Sequence, residues 1–143
     1  AVRDAGCVPA TLDEVLAQSD LVSLHCPSTE KTRGMIDAAA IAKMKDGAIL
    51  ANASRGTLVD TGALAEALRS GRLSAAALDV TDPEPLPPGH PLASLPNCIV
   101  VPHIASATVT ARNRMATMAA QNLLAGLRGE RLPYCANPEV YGT

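Results

Sequence analysis

Four short apolar runs recur along this chain at nearly even intervals: Leu21-Val22-Ser23-Leu24, Ala48-Ile49-Leu50-Ala51, Ala75-Ala76-Ala77-Leu78 and Cys98-Ile99-Val100-Val101. None carries an interior charge and none alternates cleanly between polar and apolar positions. That is the pattern of strands in a parallel sheet covered on both faces. Their starts lie roughly 23–27 residues apart, the length of a strand plus a crossover helix. Helical segments with their own start and stop signals fill the intervals. Thr11-Leu12-Asp13-Glu14 forms a capping box that opens a helix reaching Gln18. Asp37 caps a segment through Met44 that closes near Gly47. Asp60 caps another through Arg69, with Gly71 placed as the left-handed residue beyond its end. A longer helix runs from Thr108 to Leu127, stopped near Gly126 and Gly129. This rhythm predicts an α/β fold built on a parallel sheet.

Composition narrows the picture. The chain has 143 residues, about one domain's worth. It is 48% hydrophobic and 18% charged, so it can bury a core and is not a disordered tail. There is no Phe or Trp, and Tyr134 and Tyr141 are the only aromatic residues of that class. The core must therefore consist of Ala, Val, Leu, Ile and Met. A net charge of −2 with no Lys/Arg run argues against a nucleic-acid partner. No stretch approaches the ~20 apolar residues of a membrane span, and no secretory leader is visible. Cys7, Cys26, Cys98 and Cys135 stand far apart without a C-x-x-C pair, which predicts reduced thiols in a cytoplasmic protein and no metal site.

The candidate chemistry sits after the strands. His25-Cys26-Pro27 follows the first, Asn52-Ala53-Ser54-Arg55-Gly56 the second, Asp79, Asp82 and Glu84 the third, and His103 and Ser106 the fourth. Parallel α/β sheets bind ligands outside the carboxyl ends of their strands, so these groups should converge on one cleft. Arg55 suits a carboxylate held through two parallel hydrogen bonds. A carboxylate such as Glu84, in the proline-stiffened stretch Pro83–Pro88, would favour the protonated imidazole of His103 and keep a proton ready for a carbonyl oxygen. Taken singly, each has a plainer reading: a surface arginine, a solvated loop acid, a satisfied structural histidine. Together they handle a 2-keto acid. Side chains supply no hydride, so the missing reductant points to a nicotinamide cofactor. His90 reads as a packing or capping residue and His25 as shaping the Cys26-Pro27 turn. Cys26 lacks an activating base and is no nucleophile.

Four segments carry a resemblance: 20–27 (DLVSLHCP), 44–60 (MKDGAILANASRGTLVD), 77–85 (ALDVTDPEP) and 102–108 (PHIASAT). In order and spacing they resemble the D-isomer-specific 2-hydroxyacid dehydrogenases, over about Leu12 to Val140. The tail from Asn122 to Glu130, with the run after Asp79, looks most like the glyoxylate/hydroxypyruvate reductase branch. The resemblance implies a partial doubly wound, Rossmann-like parallel sheet and NAD or NADP as cofactor. It makes Arg55 the substrate-carboxylate arginine, Glu84 the histidine-pairing acid and His103 the general acid/base. It places Asp79 near the nicotinamide carboxamide, Pro27, Ala53 and Ala105 at the cofactor, and Ser106 near substrate. Ala105 departs from the usual glycine, and a methyl group there would interfere if the backbone needs φ > 0.

The chain begins at Ala1 and contains no G-x-G turn to cradle a pyrophosphate. Residues 1–143 are therefore expected to be the C-terminal part of an NAD(P)-binding domain, with its glycine-rich first half and a substrate domain absent. The expected partner is a small 2-keto or 2-hydroxy acid, and the full-length protein is expected to be a homodimer. Rival readings are a dinucleotide-responsive corepressor of the same fold, half of a (β/α)₈ barrel, and an inactive fragment.

Overall fold

The computed structural model describes residues 3–142. They divide into two compact units, with the boundary between Ile104 and Ala105. The first contains α1 (Leu12–Gln18), β1 (Leu21–Leu24), α2 (Ala38–Lys43), β2 (Ala48–Asn52), α3 (Thr61–Arg69), β3 (Leu73–Leu78), α4 (Pro91–Ser94) and β4 (Cys98–Val100). The second contains the 19-residue α5 (Val109–Leu127) and a closing 3₁₀ turn, Pro138–Tyr141.

Local chemistry sets the helix ends. Thr11 and Glu14 complete the capping box of α1: the Thr11 N–H donates to Glu14 Oε2 at 2.7 Å, and the Glu14 N–H donates to Thr11 Oγ1 at 3.3 Å. Asp37 caps α2 through the Ala40 N–H, Asp60 caps α3 through Gly62 and Ala63, and Thr108 caps α5 through Ala111. Gly71 takes φ +78° just past α3, a conformation that a Cβ would oppose. The carbonyls of Ala42 and Met44, at the end of α2, accept from the Arg72 guanidinium, which also pairs with Asp46. The short α4 has no hydrophobic period to announce it; Pro91 starts it and the His90 ring caps it by accepting the Leu92 N–H.

The four strands form one parallel sheet in the order β1-β2-β3-β4. β3 starts at Leu73, two residues earlier than the alanine run indicates, because Ser74 interrupts the apolar pattern without leaving the strand. Val22, Leu50 and Ala76 share one row of the register, with Leu24, Asn52 and Leu78 in the row towards the carboxyl ends. All six are buried. Against them pack Leu16, Ile36, Met44, Leu58, Leu64, Leu68 and Leu92.

The opposite rows read Leu21-Ile49-Ala75 and Ser23-Ala51-Ala77-Ile99, and there Leu21 is 55% and Ile99 66% exposed. The even apolarity of the strands predicts cover on both faces; among the described residues only one face is filled. An apolar run records that both faces suit burial, not which polypeptide segment supplies the cover.

Thr11 holds the Glu14 carboxyl below its ordinary range through the backbone and side-chain bonds of the capping box. A lowered folded-state value makes that contribution complete above the ordinary carboxylate range and removes it as pH falls through the lowered value. Glu14→Ala is therefore expected to lower Tm at neutral pH, with the deficit narrowing on acidification. Thermal circular dichroism scans across pH 7 to acid, run on both proteins, check this.

Candidate active site

All four strands run the same way, so every strand-end segment emerges at one end of the sheet. A cavity of about 410 Å³ opens there, lined by residues of the segments after β3 and β4, with Val100 from β4 itself. Pro85, Leu86, Val100, Val101 and Pro102 provide apolar walls; Asp79, Thr81, Glu84 and His103 provide the polar groups.

His103 Nδ1 and Glu84 Oε1 stand 2.7 Å apart, and both side chains are about half exposed. The ring is thus held by one nitrogen and leaves Nε2 for another partner. The His103 backbone is unusual: at φ +53° it is the sole non-glycine residue with positive φ among the described residues. Such a conformation persists where surrounding bonds over-determine it. Asp79 supplies them. Its carbonyl accepts the His103 N–H at 2.9 Å, and its carboxylate, almost fully buried, accepts the Ile104 N–H at 2.6 Å. The side chain assigned to a nicotinamide carboxamide on resemblance alone here holds the turn that presents the histidine.

Arg55 sits on the next segment, after β2. It is exposed, and its Nη1 donates to its neighbour's carbonyl, Ser54 O, at 2.6 Å. It stands outside the lining of the cavity. The two segments are nevertheless in contact, because Gly56 is packed on the Thr81–Asp82 peptide: a Cβ at Gly56 would lie 2.0 Å from the Thr81 carbonyl oxygen. Pro27 and Ala53 follow the paired ends of β1 and β2, where the Ser54 hydroxyl donates to the Cys26 carbonyl.

The His25 ring bonds back to β1, Nε2 standing 2.8 Å from Ser23 Oγ just before the Cys26-Pro27 turn. Ala105 and Ser106 open the second unit. Ala105 has no positive φ, so its methyl group meets no backbone penalty. Two residues without an assigned role prove structurally prominent: Asn52, 1% exposed, and Gly56, also buried. Both stand in the quoted motif, but nothing local marks an asparagine as buried or a glycine as a contact point.

The lining is compatible with a nicotinamide ring: Pro85, Leu86, Val100, Val101 and Pro102 offer apolar cover beside the polar Glu84–His103 pair. The chain has no G-x-G turn for the pyrophosphate, so the fit concerns the nicotinamide end.

Residues 1–105 match the family model described as D-isomer specific 2-hydroxyacid dehydrogenase, NAD binding domain. A glyoxylate reductase of Thermofilum pendens is 51% identical over 129 residues, which make up 90% of this chain and 38% of that protein. A human (Homo sapiens) glyoxylate reductase/hydroxypyruvate reductase is 51% identical over 84% of this chain and 37% of its own length. Among solved structures, the TT0316 protein of Thermus thermophilus superposes with a TM-score of 0.84 at 56% identity, covering 87% of this chain and 40% of that one. The chain spans about two fifths of the curated relatives it matches. With the parallel sheet and the matched segments in agreement, the chain belongs to the D-isomer-specific 2-hydroxyacid dehydrogenases, through their NAD-binding domain.

Proposed function

We propose that this chain forms the C-terminal part of the NAD(P)-binding domain of a reductase acting on a small 2-keto acid such as glyoxylate or hydroxypyruvate. Its glycine-rich half and substrate domain would be carried by other parts of the same polypeptide. The observation that supports this most directly is the Glu84–His103 pair at 2.7 Å, set in a cavity at the carboxyl end of a parallel sheet.

The cofactor, when bound, supplies the hydride that the protein cannot. The chain's own residues do the rest. Glu84 accepts the Nδ1–H of His103 and fixes the ring, and Nε2 then gives its proton to the carbonyl oxygen as that oxygen becomes a hydroxyl. In the oxidative direction Nε2 takes the proton back. Arg55 swings from its bond with Ser54 to hold the substrate carboxylate through paired hydrogen bonds. Asp79 keeps His103 in its left-handed turn and, on the family reading, also meets the nicotinamide carboxamide; the same reading gives Pro27, Ala53 and Ala105 to the cofactor and Ser106 to the substrate. Leu86 and Val100 supply apolar walls beside the reacting carbonyl. The same family reading extends to a homodimer in the cytoplasm. Among the described residues no helix is long and apolar enough to cross a membrane, and the four cysteines are free thiols.

Steady-state kinetics of the full-length enzyme test this reading. Loss of a charge-assisted hydrogen bond of about 1.5–3 kcal/mol corresponds to a 10- to 100-fold drop, roughly, in kcat/KM for Arg55→Ala, with a raised KM. Unchanged turnover of glyoxylate and hydroxypyruvate would remove Arg55 from the reaction.

A further inference from the structure

Asn52 ends β2 in the register row shared by Leu24 and Leu78, both buried, and is itself 1% exposed. A primary amide in such a place is costly unless its polar atoms are paired. Both are, and both pairings go to the segment that carries Arg55. The Asn52 Nδ2–H donates to the Arg55 carbonyl at 2.8 Å, and Oδ1 accepts the Ser54 N–H at 3.1 Å. The Arg55 carbonyl also receives the Leu58 N–H, so the peptide that follows Arg55 is gripped from two sides.

The main chain of the same residue faces the other half of the site. The Asn52 carbonyl accepts the Asp79 N–H at 2.9 Å, and Asp79 in turn holds the His103 and Ile104 amides. One run of hydrogen bonds therefore leads from the Arg55 peptide through Asn52 and Asp79 to His103. An apolar side chain would fill the same space among the leucines; the amide carries a donor and an acceptor on separate atoms, so that it can serve Arg55 and Ser54 at once.

We infer that Asn52 is a positioning residue, which fixes the main chain of Arg55 so that its guanidinium can reach the carboxylate of a 2-keto acid whose carbonyl stands at His103. The inference rests on the function proposed above and deepens it. Asn52 touches neither substrate nor cofactor, and its effect passes through Arg55.

The test uses the full-length enzyme with Asn52→Ala, alone and combined with Arg55→Ala. The loss of the two side-chain hydrogen bonds predicts a rise in KM for glyoxylate of about tenfold or more, with kcat changed about twofold or less. In the Arg55→Ala background the same substitution should leave KM unchanged, because the residue it positions is gone. Hydrogen–deuterium exchange of the peptide spanning residues 50–58 provides a readout independent of turnover: the Ser54 amide should lose protection while α3 keeps its own. Equal losses of kcat and KM in both backgrounds, or unaltered Ser54 protection, would overturn the inference. If Asn52→Ala does not fold, Asn52→Asp keeps the shape and the acceptor for the Ser54 N–H but loses the donor to Arg55, so it takes its place in the kinetic arms alone, which then decide the inference. If Arg55→Ala alone leaves KM and turnover intact, the proposed reaction fails. Asn52 is still judged as the holder of the Arg55 segment by the exchange arm.

Discussion

Replacing His103 by alanine is expected to lower kcat for keto-acid reduction by about 10²- to 10⁴-fold, with a much smaller change in KM. On the proposed function the imidazole passes a proton to the substrate oxygen, and binding of the substrate carboxylate falls to a different residue. Three features concentrate the effect on this ring. Glu84 Oε1 holds Nδ1 at 2.7 Å, the cavity walls around it are apolar, and Asp79 fixes the main chain on either side of its left-handed turn. Glu84→Gln keeps an oxygen acceptor and the shape while discarding the charge, so its loss of kcat should be smaller than that of His103→Ala. The backbone offers a second readout. A residue with a Cβ held at φ +53° costs about 1–2 kcal/mol relative to one without it. His103→Gly should therefore melt above His103→Ala while being just as inactive. Pre-steady-state and steady-state rates, with thermal melts of the three variants, check the set. Full turnover in His103→Ala would exclude the ring as the proton donor.

The second large effect is expected at Gly56, and it is one of stability. A Cβ built there lies 2.0 Å from the Thr81 oxygen, 2.1 Å from its carbon and 2.7 Å from the Asp82 nitrogen. All three are main-chain atoms, so no rotamer change relieves the overlap; the segment after β2 and the segment after β3 must separate. Overpacking of this kind costs about 1–3 kcal/mol, and contact with rigid backbone puts Gly56→Ala at the upper end or beyond. Gly126 in α5 supplies the contrast. Its added methyl would meet only Leu132 Cδ2 at 3.6 Å, an ordinary contact, and a Gly→Ala change gains about 0.5–1 kcal/mol inside a helix and less in the last turn, where Gly126 sits. Urea denaturation of the two variants should thus move the midpoint in opposite directions. A neutral Gly56→Ala would mean that the two segments are not packed as the structure has them. Because Gly56 adjoins Arg55, the destabilised variant should also show a raised KM in the full-length enzyme.

Much of this was legible in the linear order of residues because its causes are local. A helix cap needs a side chain and an N–H two or three positions away. Thr11, Asp37, Asp60 and Thr108 accordingly act where their spacing places them. The boundary of β3 was less legible, since Ser74 breaks an apolar pattern that the hydrogen-bond ladder ignores. α4 is not legible in the residue pattern, because four residues are too few to show a helical period. The placing of Arg55, Glu84 and His103 after successive strands was readable as well, since parallel connections send every strand end to the same side.

Which of those strand-end groups touch was not readable. Glu84 and His103 are 19 positions apart, and Asp79 reaches Ile104 across 25. Their meeting depends on the β3–β4 register and on how far the proline-rich segment folds back, neither of which any short window encodes. The sequence alone determined the strand and helix order, the caps, the small-residue core and the kinds of chemistry available at the sheet's carboxyl end. Only the tertiary structure decided that Asp79 braces the histidine turn, that Asn52 is buried beneath Arg55, that Gly56 lies against Thr81, and that one face of the sheet keeps Leu21 and Ile99 exposed. The physical reason is range. Hydrogen bonds within a turn are set by neighbours along the chain, whereas burial and loop-to-loop contact are set by whatever the folded sheet brings alongside.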